Sequence, residues 1–175
     1  MKLITIISIL ATFLFTTLYI TTENRACLSL AITAGTIAYH FLMRYIVAMV
    51  VRCVVNNQAD LSKWWYQQKR WEKRLYQKLH VKQWEGKMPT YNPDDFNLKQ
   101  HTPREIACIM CQAELGHEII VVLSFLPLLM VPIFDDFWVF FITSVLAALL
   151  DLMFVIMQRY NRPRILYLYK KRNYH

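Results

Sequence analysis

Glycine is nearly missing, with three residues in a chain of 175. There is no glycine-rich loop to cradle phosphates and no Gly-x-Ser-x-Gly elbow, which argues against a P-loop ATPase or an α/β-hydrolase. Cysteine is scarce too. Four cysteines do not suggest a disulfide framework, and Cys108-x-x-Cys111 lacks a second Cys or His pair at zinc spacing. Glu114-x-x-His117 is likewise a single pair, whereas helical di-metal sites use two such pairs plus two further carboxylates. No metal and no resident cofactor is expected.

Acids are outnumbered, twelve against twenty Lys and Arg, for a net charge of +8. The excess is uneven. Twelve of the twenty basic residues lie between Arg44 and Arg104 and six more between Arg159 and Arg172. The connections Glu23–Arg25 and Asp135-Asp136 hold one basic residue between them, so the positive-inside rule predicts both termini and every basic segment to be cytoplasmic. Anionic headgroups beside the membrane account for this charge, and nucleic acid is not an expected partner.

What the chain has in abundance is apolar length, at 56% hydrophobic residues. Leu3–Thr22 is twenty residues without a charge, about 30 Å as a helix and enough to cross the hydrocarbon. Further spans are expected over 26–43, 119–134 and 137–157, the last with Asp151 as its only charge. The fold class is therefore all-α: one integral membrane domain over 1–175 with four transmembrane helices, multi-pass in a bacterial plasma membrane. Pro127 and Pro132 are expected to bend the third span.

Residues 61–79 change from continuous to amphipathic, with Leu61, Trp64, Trp65, Trp71, Leu75, Tyr76 and Leu79 on one stripe and Lys63, Arg70, Lys73 and Arg74 opposite. This pattern predicts a helix in the cytoplasmic membrane interface, capped by Asp60. Packing of the stripe against the protein's own helices is the alternative. A connector follows, with Lys82, Trp84 and Lys87 close to the membrane and Gly86 and Pro89 as breakers. It either folds over a site or serves as a linker. Thr102-Pro103-Arg104-Glu105 then has the form of a helix start.

Two constellations carry chemistry. Glu114 and His117, three apart on one helix face, suit a general base and the carboxylate that orients it. Gln158-Arg159-Tyr160-Asn161-Arg162-Pro163-Arg164 follows the last span, and Pro163 predicts a turn there. Its guanidinium forks suit bidentate binding of phosphate or carboxylate. A stop-transfer anchor, or a salt bridge from Glu114 to Arg159 or Arg162, explains the same residues without a ligand. Asp151 falls near one helical line with Gln158 and Arg162 and either joins that site or pairs with Arg44 or His40.

Three segments in order, Val81–Pro89, Ala113–His117 and Gln158–Arg164, resemble the glycosyl-diaponeurosporenoate acyltransferase family of small bacterial membrane enzymes in the staphyloxanthin carotenoid pathway. The departures are Glu118, where an aromatic residue is usual, and Glu85-Gly86, where a more basic pair is usual. The resemblance implies transfer of a fatty acyl group to a hydroxyl of a lipid-linked sugar. The chemistry of the residues themselves, rather than the resemblance, makes His117 and Glu114 the candidate catalytic residues. Candidate substrate contacts are Gln158, Arg159, Asn161, Arg162, Arg164, Lys82, Trp84, Lys87 and Asp151, with acyl-CoA or another acyl carrier as donor. Lipid substrates and anionic phospholipids are the expected partners, and homo-oligomerisation is left open. The alternatives are another headgroup transferase, moving a phosphoryl or methyl group, and a non-enzymatic scaffold that binds anionic lipid.

Overall fold

The computed structural model describes residues 2–84 and 93–173. Among the described residues every regular element is helical: α1 (Lys2–Thr22), α2 (Arg25–Val55), α3 (Arg70–Lys78), α4 (Pro103–Leu123), α5 (Val131–Phe134) and α6 (Phe137–Asn173). Four helical stretches are long and apolar enough to cross a membrane, Lys2–Thr22, Arg25–Val55, Pro103–Phe134 and Phe137–Tyr167. The chain divides into two compact units, one of residues 1–49 and 119–151 and the other of residues 50–118 and 152–175.

In the first unit, α2 and the start of α6 run parallel in a fixed register. Ser29 Oγ donates to Asp136 Oδ2 at 2.9 Å, and Arg44 pairs with Asp151, both across 107 residues of sequence. Asp151 is therefore committed to Arg44, as one of the two sequence readings had it. Helices α1 and α2 meet where side chains are small: a Cβ on Gly35 would touch Thr12 Cγ2 at 3.5 Å. Close approach through small residues is the usual basis of helix association in lipid, where burial of apolar surface gives no drive.

The third apolar stretch is broken rather than merely bent. Pro127 has no N–H for the carbonyl of Leu123 four residues back, so α4 stops there and a 3₁₀ turn runs over Leu126–Met130. The freed Leu123 carbonyl accepts instead from the Tyr39 hydroxyl at 2.9 Å. Val131 N–H closes the 3₁₀ turn onto Leu128, and the short α5 ends at Asp135 in the left-handed region at φ 57°. Two residues, Asp135 and Asp136, thus make the tight turn into α6.

The second unit departs from expectation in two places. The helix foreseen over 61–79 is split: Asp60 Oδ1 binds the amide and hydroxyl of Ser62, a 3₁₀ turn spans Trp64–Tyr66, and α3 begins only at Arg70. Glu72 explains the restart, because its carboxylate accepts the Lys69 N–H at 3.2 Å and so caps α3 from its third position. Trp64, Trp71, Leu75 and Leu79 of the aromatic stripe face outward, and Glu72 and Tyr76 form the buried side. The stripe is thus divided: its four outward residues are exposed, while Tyr76 packs against Tyr160 and Trp65 lies against Arg159 and Glu118. The turn foreseen at Pro163 is also absent, since α6 continues through it to Asn173. A proline inside a helix costs about 3 kcal/mol, and α6 accommodates it one residue after Arg162, which is tied to α4 through Glu114.

Candidate active site

Three helix faces in the second unit converge on one carboxylate. Glu114 lies on α4 with Cys111 three residues before it and Glu118 four after, so the three share a face. Arg159 and Arg162 are three apart on α6, and Glu72 and Tyr76 four apart on α3. Glu114 is fully buried, with Oε1 2.5 Å from Arg159 Nε and Oε2 2.6 Å from Arg162 Nη1. Arg159 also reaches Glu72 Oε1 at 2.8 Å, Glu118 Oε1 at 3.3 Å and the Trp65 carbonyl at 3.0 Å. Every nitrogen of its guanidinium is engaged.

Arg162 is 3% exposed and donates from Nη1 to Cys111 Sγ at 2.8 Å as well as to Glu114. Aromatic rings floor both cations: Trp65 lies 5.8 Å from Arg159 and Tyr66 5.4 Å from Arg162, centroid to guanidinium carbon. Desolvation by these surroundings raises the Tyr66 and Tyr76 phenols above their ordinary value of 10, and neighbouring carboxylates add to the shift. Both rings therefore stay neutral beside the ion pairs.

The guanidinium groups do bind a carboxylate, but it is the chain's own, and Glu114 bridges the two arginines with one hydrogen bond from each. Glu114 is correspondingly committed to two arginines. His117 is half-buried and stacks on Phe154, with ring centroids 4.7 Å apart and planes at 9°. Gln158 and Arg162, four apart on one face of α6, each keep a buried polar atom with no hydrogen-bond partner among the described residues: Gln158 Oε1 and Arg162 Nη2. One acceptor and one charged donor are thus available for a ligand.

The remaining candidates are peripheral. Arg164 is exposed, donates to Asn161 Oδ1 at 3.3 Å and lies over the Tyr160 ring. Lys82 is exposed and Trp84 half-buried on a 3₁₀ turn at Val81–Trp84. Lys87 lies outside the described residues, and Asp151 belongs to the other unit, with Arg44. Sequence reasoning passed over Glu72, Cys111, Trp65 and Tyr66. Glu72 did leave a signal, as the only acid among six basic residues between Lys63 and Lys78.

Residues 62–171 match the family profile of the glycosyl-4,4'-diaponeurosporenoate acyltransferases. The chain belongs to this acyltransferase family. The matched stretch contains α3, the whole buried ionic cluster, His117, and the Gln158–Arg164 segment. No curated protein and no solved structure matches the chain.

Proposed function

We propose that the protein moves a fatty acyl group from acyl-CoA or another acyl carrier onto a hydroxyl of a glycolipid or lipid-linked sugar, at the cytoplasmic leaflet of a bacterial plasma membrane. The observation that carries this reading is the acyltransferase family match over the very residues that build the cluster. In the proposed reaction the His117 imidazole takes the proton of the acceptor hydroxyl, and the hydroxyl oxygen attacks the acyl carbonyl. The carbonyl π pair moves onto oxygen, where the unpartnered Arg162 Nη2 donates to the oxyanion. Collapse expels the carrier thiolate, which takes the proton back from His117. Gln158 Oε1 accepts from a second hydroxyl of the acceptor sugar and so orients the attacking one toward His117. Arg159, Glu114 and Glu72 hold Arg162 in place and touch no substrate.

One observation favours a second reading. Arg159 and Arg162 are neutralised internally, which is what a non-enzymatic membrane subunit would need for folding alone. Lipid mass spectrometry separates the two, using cells with the protein, without it, and with His117→Ala. An acyl-bearing glycolipid made only by the intact protein supports transfer. An unchanged lipid profile leaves the scaffold.

A further inference from the structure

The second unit holds a cleft of about 670 Å³, bounded by the turn at Ala59–Ser62, the start of α4 and the C-terminal part of α6. Its floor is apolar, formed by Pro163 and Leu166, and two cations line it, Arg104 and Lys170. Both are exposed, and neither is engaged by a carboxylate among the described residues. Asp60 is the acid at the cleft, and its Oδ1 is occupied by the Ser62 amide at 2.9 Å and hydroxyl at 2.6 Å. Tyr167, 68% exposed, offers an open ring beside the cations. Apolar floor, paired cations and free aromatic face suit a phosphorylated, partly flat ligand better than a bare ion.

Acyl transfer gives such a ligand a place. The arginines of the buried cluster are neutralised by carboxylates and leave one free donor among the described residues, Arg162 Nη2, so the phosphates of a donor have to be gripped elsewhere. Arg104 and His117 lie on one helix thirteen residues apart, about 20 Å at roughly 1.5 Å per residue. An extended phosphopantetheine arm covers that order of length. Resting on the acyl-transfer reading, we propose that the Arg104–Lys170 cleft binds the phosphates of a coenzyme A donor, with its thioester reaching toward His117. An anionic phospholipid headgroup carries the same phosphate chemistry and is the other source to be distinguished.

The test uses the full chain in phosphatidylcholine nanodiscs and measures, by calorimetry, binding of coenzyme A and of pantetheine, which lacks the phosphates. Coenzyme A binds about tenfold or more tightly than pantetheine, and Arg104→Gln with Lys170→Gln removes that advantage. Asp60→Asn, which keeps the oxygen that Ser62 uses and removes the charge, strengthens coenzyme A binding. Equal binding of the two compounds, or indifference to the double substitution, overturns the assignment. So does a double substitution that abolishes retention of phosphatidylglycerol in mixed nanodiscs while leaving coenzyme A binding unchanged, for the cleft then belongs to a lipid headgroup. Lipid acylation in cells that depends on His117 survives such a failure. Conversely, coenzyme A binding that depends on Arg104 and Lys170, in a protein that acylates nothing, keeps the cleft and removes the acyl-transfer reading.

Discussion

Tyr39 donates its hydroxyl to the Leu123 carbonyl, the one backbone acceptor that Pro127 deprives of a helical donor. Tyr39→Phe should therefore cost about 1–3 kcal/mol in a wild-type background. It should cost much less in Pro127→Ala, where residue 127 regains an N–H. A double-mutant cycle by thermal unfolding in detergent measures the difference. Equal costs in both backgrounds would mean that the hydroxyl is not replacing the missing amide.

Glu114→Ala leaves two guanidinium groups facing each other without their shared carboxylate. Breaking a buried pair in this way costs about 3–5 kcal/mol, so the variant should be among the least stable in the chain. Lys82→Ala, at an exposed position, is the control. If the two variants unfold together, Glu114 is not holding α4 to α6.

His117→Phe keeps an aromatic ring against Phe154 and removes the base. Acyl transfer should fall by about 10²-fold or more, while the melting temperature stays within a few degrees of the parent. Comparable activity in the Phe variant would remove His117 from the reaction.

Asp151→Leu strands Arg44, which is 12% exposed at its side chain. Adding Arg44→Leu should restore part of the lost stability, because no buried charge is then left alone. Chemical unfolding of the two single variants and the double variant gives the coupling directly. Strictly additive losses would place the pair's contribution at zero.

Tyr66 and Tyr76 have phenols raised above 10 by burial and by nearby carboxylates. A raised folded pKa means that the native state holds its proton more tightly than the unfolded chain. Their contribution to stability is complete below pH 10 and declines as pH rises from there through the folded values. Tyr66→Phe with Tyr76→Phe should flatten the alkaline limb of a stability–pH profile; an unchanged limb would assign the decline to other groups.

The helices long enough to cross a membrane were legible because hydropathy needs only composition over a window, and Leu3–Thr22 supplies it without a charge and Phe137–Met157 with Asp151 alone. Glu114, Arg159 and Arg162 were legible as neighbours through their spacing and depth. Their mutual consumption was not, since charge complementarity within the chain and affinity for a ligand leave the same residues in the sequence. The break in residues 61–79 escaped because a continuous stripe says nothing of Glu72, whose carboxylate turns back to the Lys69 amide and restarts the helix. Pro163 misled for a related reason: a local preference takes no account of the contacts by which Arg159 and Arg162 tie this part of α6 to α4.

The clasp of Glu72 by Arg159 joins residues 87 apart in sequence, and this bears on biosynthesis. Glu72 and Glu114 both leave the ribosome before their arginines exist, so each carboxylate waits through the making of most of α6. Until then water or protons have to satisfy them, and a chain released before Arg159 lacks the guanidinium groups that balance both acids, although Glu72 can already cap the Lys69 amide. Quality control that recognises unpaired acids beside a membrane would therefore see every truncated copy as unfinished, however well its earlier helices had inserted.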